Sequence, residues 1–371
     1  MADPIYLDYQ ATTPLAPEAY AAMKPWLKNG FANPHSSHGA GRKAAAAVEV
    51  ARGHVAKLLP ENGEVIFTSG ATEAINLGLR GALPALDQNR RKIVTVATEH
   101  AAVRDTCFWL EKQGYDLEVL PVGPDGLVDL HTAREAIDAS TAIVAVMLVN
   151  NEIGVIQPVQ KLADIAHDAG ALFLCDAVQG YGRIPIPDNV DMVSLSAHKI
   201  HGPKGIGALW RREGVKLEPL LHGGGQEAGV RSGTLSPALC AGFGAAAKLA
   251  AERFDADAEH VAKLWNLARE LFSDWTINGS VEHRYMGNLN IRRDGLDVAR
   301  LMSDVRGVSF SAGSACASGS GRPSHVLTAL GLTPAEVKSS IRIGFGRYTT
   351  TRELREAAKM LDRAAGEILV S

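Results

Sequence analysis

Ala142-Ile143-Val144-Ala145-Val146-Met147-Leu148-Val149 is the longest apolar run in the chain. It is far short of the roughly 20 residues that a membrane-spanning helix needs, and it reads as a strand buried on both faces. Working outward, Val65-Ile66-Phe67, Ile93 to Val96, Ala171 to Leu174 and Ile206 to Trp210 read the same way, and another apolar strand leads into Ser194-Leu195-Ser196. Between the strands, Ala44, Val48, Ala51, Val55 and Leu58 recur at spacings of three and four, one face of a helix. Val159 to Ala169 predicts a second helix. Strands and helices in alternation predict an α/β fold with a mainly parallel sheet covered on both faces.

The pattern changes after about residue 250. An alanine-rich helix over Ala238 to Arg253 gives way to a second helix. A strand at Asn288 to Arg292, a helix at Leu296 to Asp304 and a closing amphipathic helix from about Thr351 follow. A length of 371 residues suits two domains. The expected division is a large domain over 15–255 and a smaller α+β domain built from 1–14 and 256–371. The smaller one carries a loop rich in glycine and serine at about 309–324.

Composition narrows the function. The 38 basic and 41 acidic residues nearly balance, so neither nucleic acid nor a membrane surface is expected as a partner. Cys107, Cys175, Cys240 and Cys316 lie far apart and form no CxxC, which argues against a disulfide framework or a zinc cluster. The chain opens Met-Ala-Asp-Pro with no secretory pattern, and a reducing cytoplasm is expected. No metal site is expected: His198 and His201 have helical spacing, but no acidic or cysteine partner lies near and Pro203 follows.

Candidate chemistry sits where strands stop. Thr68-Ser69-Gly70-Ala71-Thr72-Glu73 is either a capping turn or a phosphate site at a helix N-terminus. Asp176 in Cys175-Asp176-Ala177-Val178-Gln179 caps a helix or pairs with a cofactor's ring nitrogen. Lys199 in Ser196-Ala197-His198-Lys199 is an exposed lysine or a nucleophilic amine. His100 in Thr98-Glu99-His100 is structural, a stacking surface or a proton donor. Arg342 forms a surface salt bridge or binds a carboxylate. Cys316, in Ser311-Ala312-Gly313-Ser314-Ala315-Cys316-Ala317-Ser318-Gly319, lacks the apolar neighbours of a core cysteine, which favours a reactive thiol.

These motifs, with Tyr6 to Pro14, Asn33 to His38, Val149-Asn150-Asn151-Glu152-Ile153-Gly154, His222 to Glu227, Arg231-Ser232-Gly233-Thr234 and Pro323-Ser324-His325-Val326-Leu327, stand in an order that resembles the cysteine desulfurases of the NifS/IscS type over nearly the whole chain. These belong to the class V aminotransferases. The resemblance implies a fold type I enzyme of pyridoxal 5'-phosphate (PLP) with a seven-stranded-type sheet. Lys199 would carry the cofactor, Asp176 would pair with its ring nitrogen and Gln179 with its phenolic oxygen. His100 would stack on the ring and assist proton transfer. Ala71, Thr72, Ser196 and His198 would bind the phosphate, and Thr234 would reach the phosphate of a second subunit, so a homodimer is implied. Asn151 would lie beside cofactor and substrate, and Asn33 and Arg342 would hold the carboxylate of L-cysteine. Cys316, in a long loop of the group I kind, would accept the sulfur as a persulfide and deliver it to an iron–sulfur scaffold or another acceptor protein. Two positions depart from the usual pattern: Tyr9-Gln10 stands where asparagine or serine forms are commoner, and Val178 where alanine or threonine is usual.

The nearest rivals on the same fold are a selenocysteine lyase and another class V aminotransferase; the latter needs no thiol in a loop like that of Cys316. From a different class, His222-Gly223-Gly224-Gly225 suggests a hydrolase oxyanion loop, but no G-x-S-x-G nucleophile elbow occurs in the chain. Gly223, Gly225 and Ala228 fit a dinucleotide fingerprint formally, without a βαβ setting.

Overall fold

In the computed structural model, which describes residues 3–313 and 323–370, seven strands form the central sheet. In chain order they are β1 (Gly63–Thr68), β2 (Lys92–Val96), β3 (Asp116–Leu120), β4 (Thr141–Met147), β5 (Leu172–Asp176), β6 (Met192–Ser196) and β7 (Gly207–Arg212). Their spatial order is β1-β7-β6-β5-β4-β2-β3. Neighbours are parallel from β6 across to β3, while β7 runs antiparallel to both β6 and β1. The sheet is therefore mainly parallel and seven-stranded, as the resemblance implied.

The apolar run behaves as a two-faced strand must. Val144 and Val146 point into one core with Phe173 and Phe243, and Ile143 and Ala145 into the opposite one with Leu174 and Leu209. Helices Gly39–Ala56, Val159–Asp168 and Pro237–Glu252 supply the first core; Ala71–Ala82 and Ala101–Lys112 supply the second. The ladder stops at Met147 rather than at the expected Val149. Leu148 and Val149 stay buried, but the Asn150 side chain accepts the N–H groups of Glu152 and Ile153 and turns the chain. β3 was not anticipated. Its Asp116, Glu118 and Val119 are exposed, because it is the sheet edge and gains its place from pairing with β2 rather than from burial.

A second core gathers Leu7 with Trp265, Leu289, Ile291, Ile341, Ile343 and Leu361. Its four-stranded sheet has the order Ser311–Ala312, Ser340–Gly344, Asn288–Arg292, Thr276–Ile277, antiparallel throughout. The closing helix Thr351–Leu369 is fixed at its start by a capping box between Thr350 and Glu353. The N-terminal segment lies against this sheet: Leu7 O accepts the Gly344 N–H at 2.8 Å. Gly344 permits that approach, since a Cβ there would fall 1.8 Å from Gln10 Oε1. Asp8 to Ala11 then cross from the small sheet to the ends of the large one.

Candidate active site

Strand direction brings the candidate residues together. β2, β4, β5 and β6 are parallel; β1 is antiparallel to β7 and so parallel to β6. All five therefore stop at one edge, and the segments that follow them, Ser69–Thr72, Thr98–His100, Asn150–Glu152, Asp176–Gln179 and Ala197–Lys199, meet there. A cavity of about 580 Å³ opens at this edge. Ala71, Thr72, His100, Asn151, Asp176, Gln179, Ser196, His198, Lys199 and Arg342 line it.

Lys199 ends a single turn of 3-10 helix after β6. Its ammonium donates to the carbonyls of Gln10 at 2.5 Å and Ala11 at 2.8 Å. Asp176, the last residue of β5, is buried; its Oδ1 accepts from Ser194 Oγ and from the Val178 N–H, each at 3.1 Å. Burial raises its pKa, against the pull of His100, those two hydrogen bonds and Lys199. A buried carboxylate beside a cavity asks for a cation or a strong donor. Gln179 Nε2 donates to Gln10 O at 2.9 Å, while its Oε1 accepts from Arg183 at 2.7 Å.

Helix Ala71–Ala82 begins in the cavity wall after Gly70, and no side chain caps its start. An uncapped helix N-terminus on a cavity is a setting that suits an anion. Gly207 lets the turn close up: a Cβ there would lie 2.7 Å from Gly70 Cα. His198 Nδ1 is 3.0 Å from Thr12 Oγ1. Burial, then the charges of Lys199, Lys204 and Arg183, lower its pKa to about 4, so the ring is neutral near pH 7. His100 caps the helix Ala101–Lys112, its Nδ1 accepting from the Ala102 N–H at 3.1 Å.

Arg342 is 1% exposed. Nη1 donates to Asn151 O at 3.0 Å and Nη2 to Asp8 Oδ1 at 2.7 Å, while Nε, buried, has no acceptor among the described residues.

Asn33 and Thr234 do not join this group. Both are exposed and neither lines the cavity; Asn33 Oδ1 accepts the N–H of His35. Cys316 lies outside the described residues. Cys175 is fully buried and its pKa is pushed well up, first by that burial, which makes it an inert strand residue. Reading from sequence passed over Gln10 and Ala11, which act through backbone carbonyls that no side-chain pattern reports. It also passed over Lys204, a second lysine in the cavity wall.

The aminotransferase class-V family matches residues 5–356. The chain belongs to the class-V aminotransferase family. A cysteine desulfurase IscS of Rickettsia bellii is 44% identical to it over 369 residues, 96% of this chain and 90% of the relative. Among solved structures, a NifS-like protein superposes with a TM-score of 0.91 at 32% identity, covering 98% of this chain and 100% of the other. A second, titled SspA in complex with cysteine, gives 0.82 at 36% identity, covering 93% and 99%. Class-V aminotransferases use pyridoxal phosphate, and this cavity fits it on its own features: an uncapped helix N-terminus for the phosphate, a buried carboxylate for the ring nitrogen and an amine in the same wall.

Proposed function

We propose that this chain is a cysteine desulfurase that converts L-cysteine to L-alanine and takes the sulfur as a persulfide on Cys316. The observation that carries the reading is the convergence of Lys199, Asp176, His100 and Arg342 on one cavity. The Ala71 and Thr72 segment, Ser196 and the neutral His198 hold the phosphate; Asp176 keeps the ring nitrogen protonated, and Gln179 contacts the phenolic oxygen. Bound in this way, pyridoxal phosphate supplies an electron sink for negative charge at the substrate's α-carbon.

The remaining work falls to the chain itself. Arg342 holds the substrate carboxylate, with Asn151 beside it and Asn33 closing on the same group. Lys199 would hold the cofactor and, with its amine free, would move the substrate's α-proton. His100 would hold the ring and assist proton transfer. The Cys316 thiolate attacks the substrate sulfur; the Cβ–S bond breaks, Cβ gains a proton, and alanine departs. Sulfur then passes to an iron–sulfur scaffold or another acceptor protein. We place the enzyme in the cytoplasm; no described helix is long and apolar enough to cross a membrane. We further infer a homodimer, in which the exposed Thr234 serves the phosphate of the other subunit.

Release of alanine and sulfide from L-cysteine with a thiol reductant, compared between wild type and Cys316→Ala, tests the reading. Turnover by wild type and its loss in a variant that keeps the cofactor colour are expected. Equal turnover in the variant would remove Cys316 as acceptor.

A further inference from the structure

The carboxylate-binding arginine has a partner that the reaction does not account for. A buried guanidinium is costly unless paired and hydrogen-bonded, and Arg342 is paired with Asp8. Three elements meet there. Arg342 comes from the strand Ser340–Gly344, Ser311 from the neighbouring strand of the same sheet, and Asp8 from the N-terminal segment bridged in parallel to Gly344. Asp8 Oδ1 accepts from Arg342 Nη2 at 2.7 Å and from Ser311 Oγ at 2.9 Å, and Nη2 also donates to Ser311 Oγ at 3.3 Å. Nη2 is thus the corner by which Asp8 and Ser311 hold the guanidinium, while Asn151 O accepts from Nη1 and the buried Nε has no acceptor among the described residues.

We propose that Asp8 is a positioning residue for recognition of the substrate's carboxylate, holding the Arg342 guanidinium by its Nη2 corner at the cavity wall where an α-amino acid would bind. Asp8 touches neither substrate nor cofactor; it acts through Arg342. The same segment carries the Gln10 and Ala11 carbonyls that receive the Lys199 ammonium, so it fixes the carboxylate end of the site relative to the amine. The proposal rests on the reading of Arg342 as the carboxylate site.

The test titrates holoenzyme with L-cysteine and, separately, with cysteamine, which lacks the carboxylate, and follows the cofactor absorbance. Wild type should bind L-cysteine more tightly than cysteamine. In Asp8→Asn the apparent Kd for L-cysteine should rise about tenfold, the weight of about 1.4 kcal/mol, while that for cysteamine stays unchanged. Ser311→Ala, which keeps the charge pair, should move the same way by a smaller factor and covers the case in which Asp8→Asn fails to fold. Equal weakening of both ligands, or unchanged L-cysteine binding in both variants, would overturn the proposal. A wild type that binds the two ligands alike would overturn it together with the role of Arg342. Loss of the desulfurase reading alone would look different: selective binding of L-cysteine with no alanine formed.

Discussion

Two regions supply the expected site residues, and they behave differently. At the edge where β1, β2, β4, β5 and β6 stop, the sheet holds strand ends within reach of one another, and the residues there line a single cavity. Asn33 and Thr234, on other segments, are exposed and lie outside it. Buried strands thus bring their end residues to one cavity within one chain, whereas the exposed segments would gain a role there only through a second body or a movement.

The largest expected effect probes the first region. Lys199→Ala should lower alanine formation by about 10³-fold or more, the usual scale for a lost positioned base that is also the anchor; near-wild-type turnover would break the account of the strand-end edge. Asp176→Asn should cost about 10²-fold in kcat, the scale of one lost electrostatic partner, and should change the cofactor's absorbance, which a purely structural aspartate would not do.

A hybrid dimer sharpens the contrast. Thr234→Ala alone should weaken phosphate retention about tenfold, the value of one hydrogen bond to a charged group. A dimer pairing a Lys199→Ala chain with a Thr234→Ala chain should contain one intact site and recover about half of wild-type activity per dimer, from the rule that closed C2 interfaces exchange the same residue both ways. No recovery would assign Thr234 to its own chain's site.

The smallest effect concerns the histidines under the N-terminal segment. His201, buried with its Nδ1 2.9 Å from Pro14 O, has its pKa lowered to about 4, first by burial. A histidine depressed in the folded state favours folding above its unfolded pKa, about 6.5. That contribution is lost as pH falls from there towards 4. The buried Glu152, raised to about 7 chiefly by burial, works in the opposite sense over an overlapping range, so the comparison must be differential. His201→Gln should lose less thermal stability than wild type between pH 7 and pH 4.5; equal losses would contradict the sign.

Legibility followed the same division. The apolar run at Ala142 showed itself because a strand packed on both faces reads as an unbroken apolar stretch, and Asp176 and Lys199 stood out as charged residues where such strands end. The edge strand β3 did not, since three of its five side chains face water. Nor did the tie from Asp8 to Arg342, because 334 positions separate them in sequence and each alone reads as an ordinary surface charge. The Gln10 and Ala11 carbonyls escape any side-chain pattern for the reason that every residue has one.

The cavity holds two lysines, Lys199 and Lys204, and the whole account depends on which of them carries the cofactor. Borohydride reduction of the holoenzyme followed by peptide mass spectrometry decides it. The pyridoxyl group should appear on Lys199; finding it on Lys204 would contradict the account.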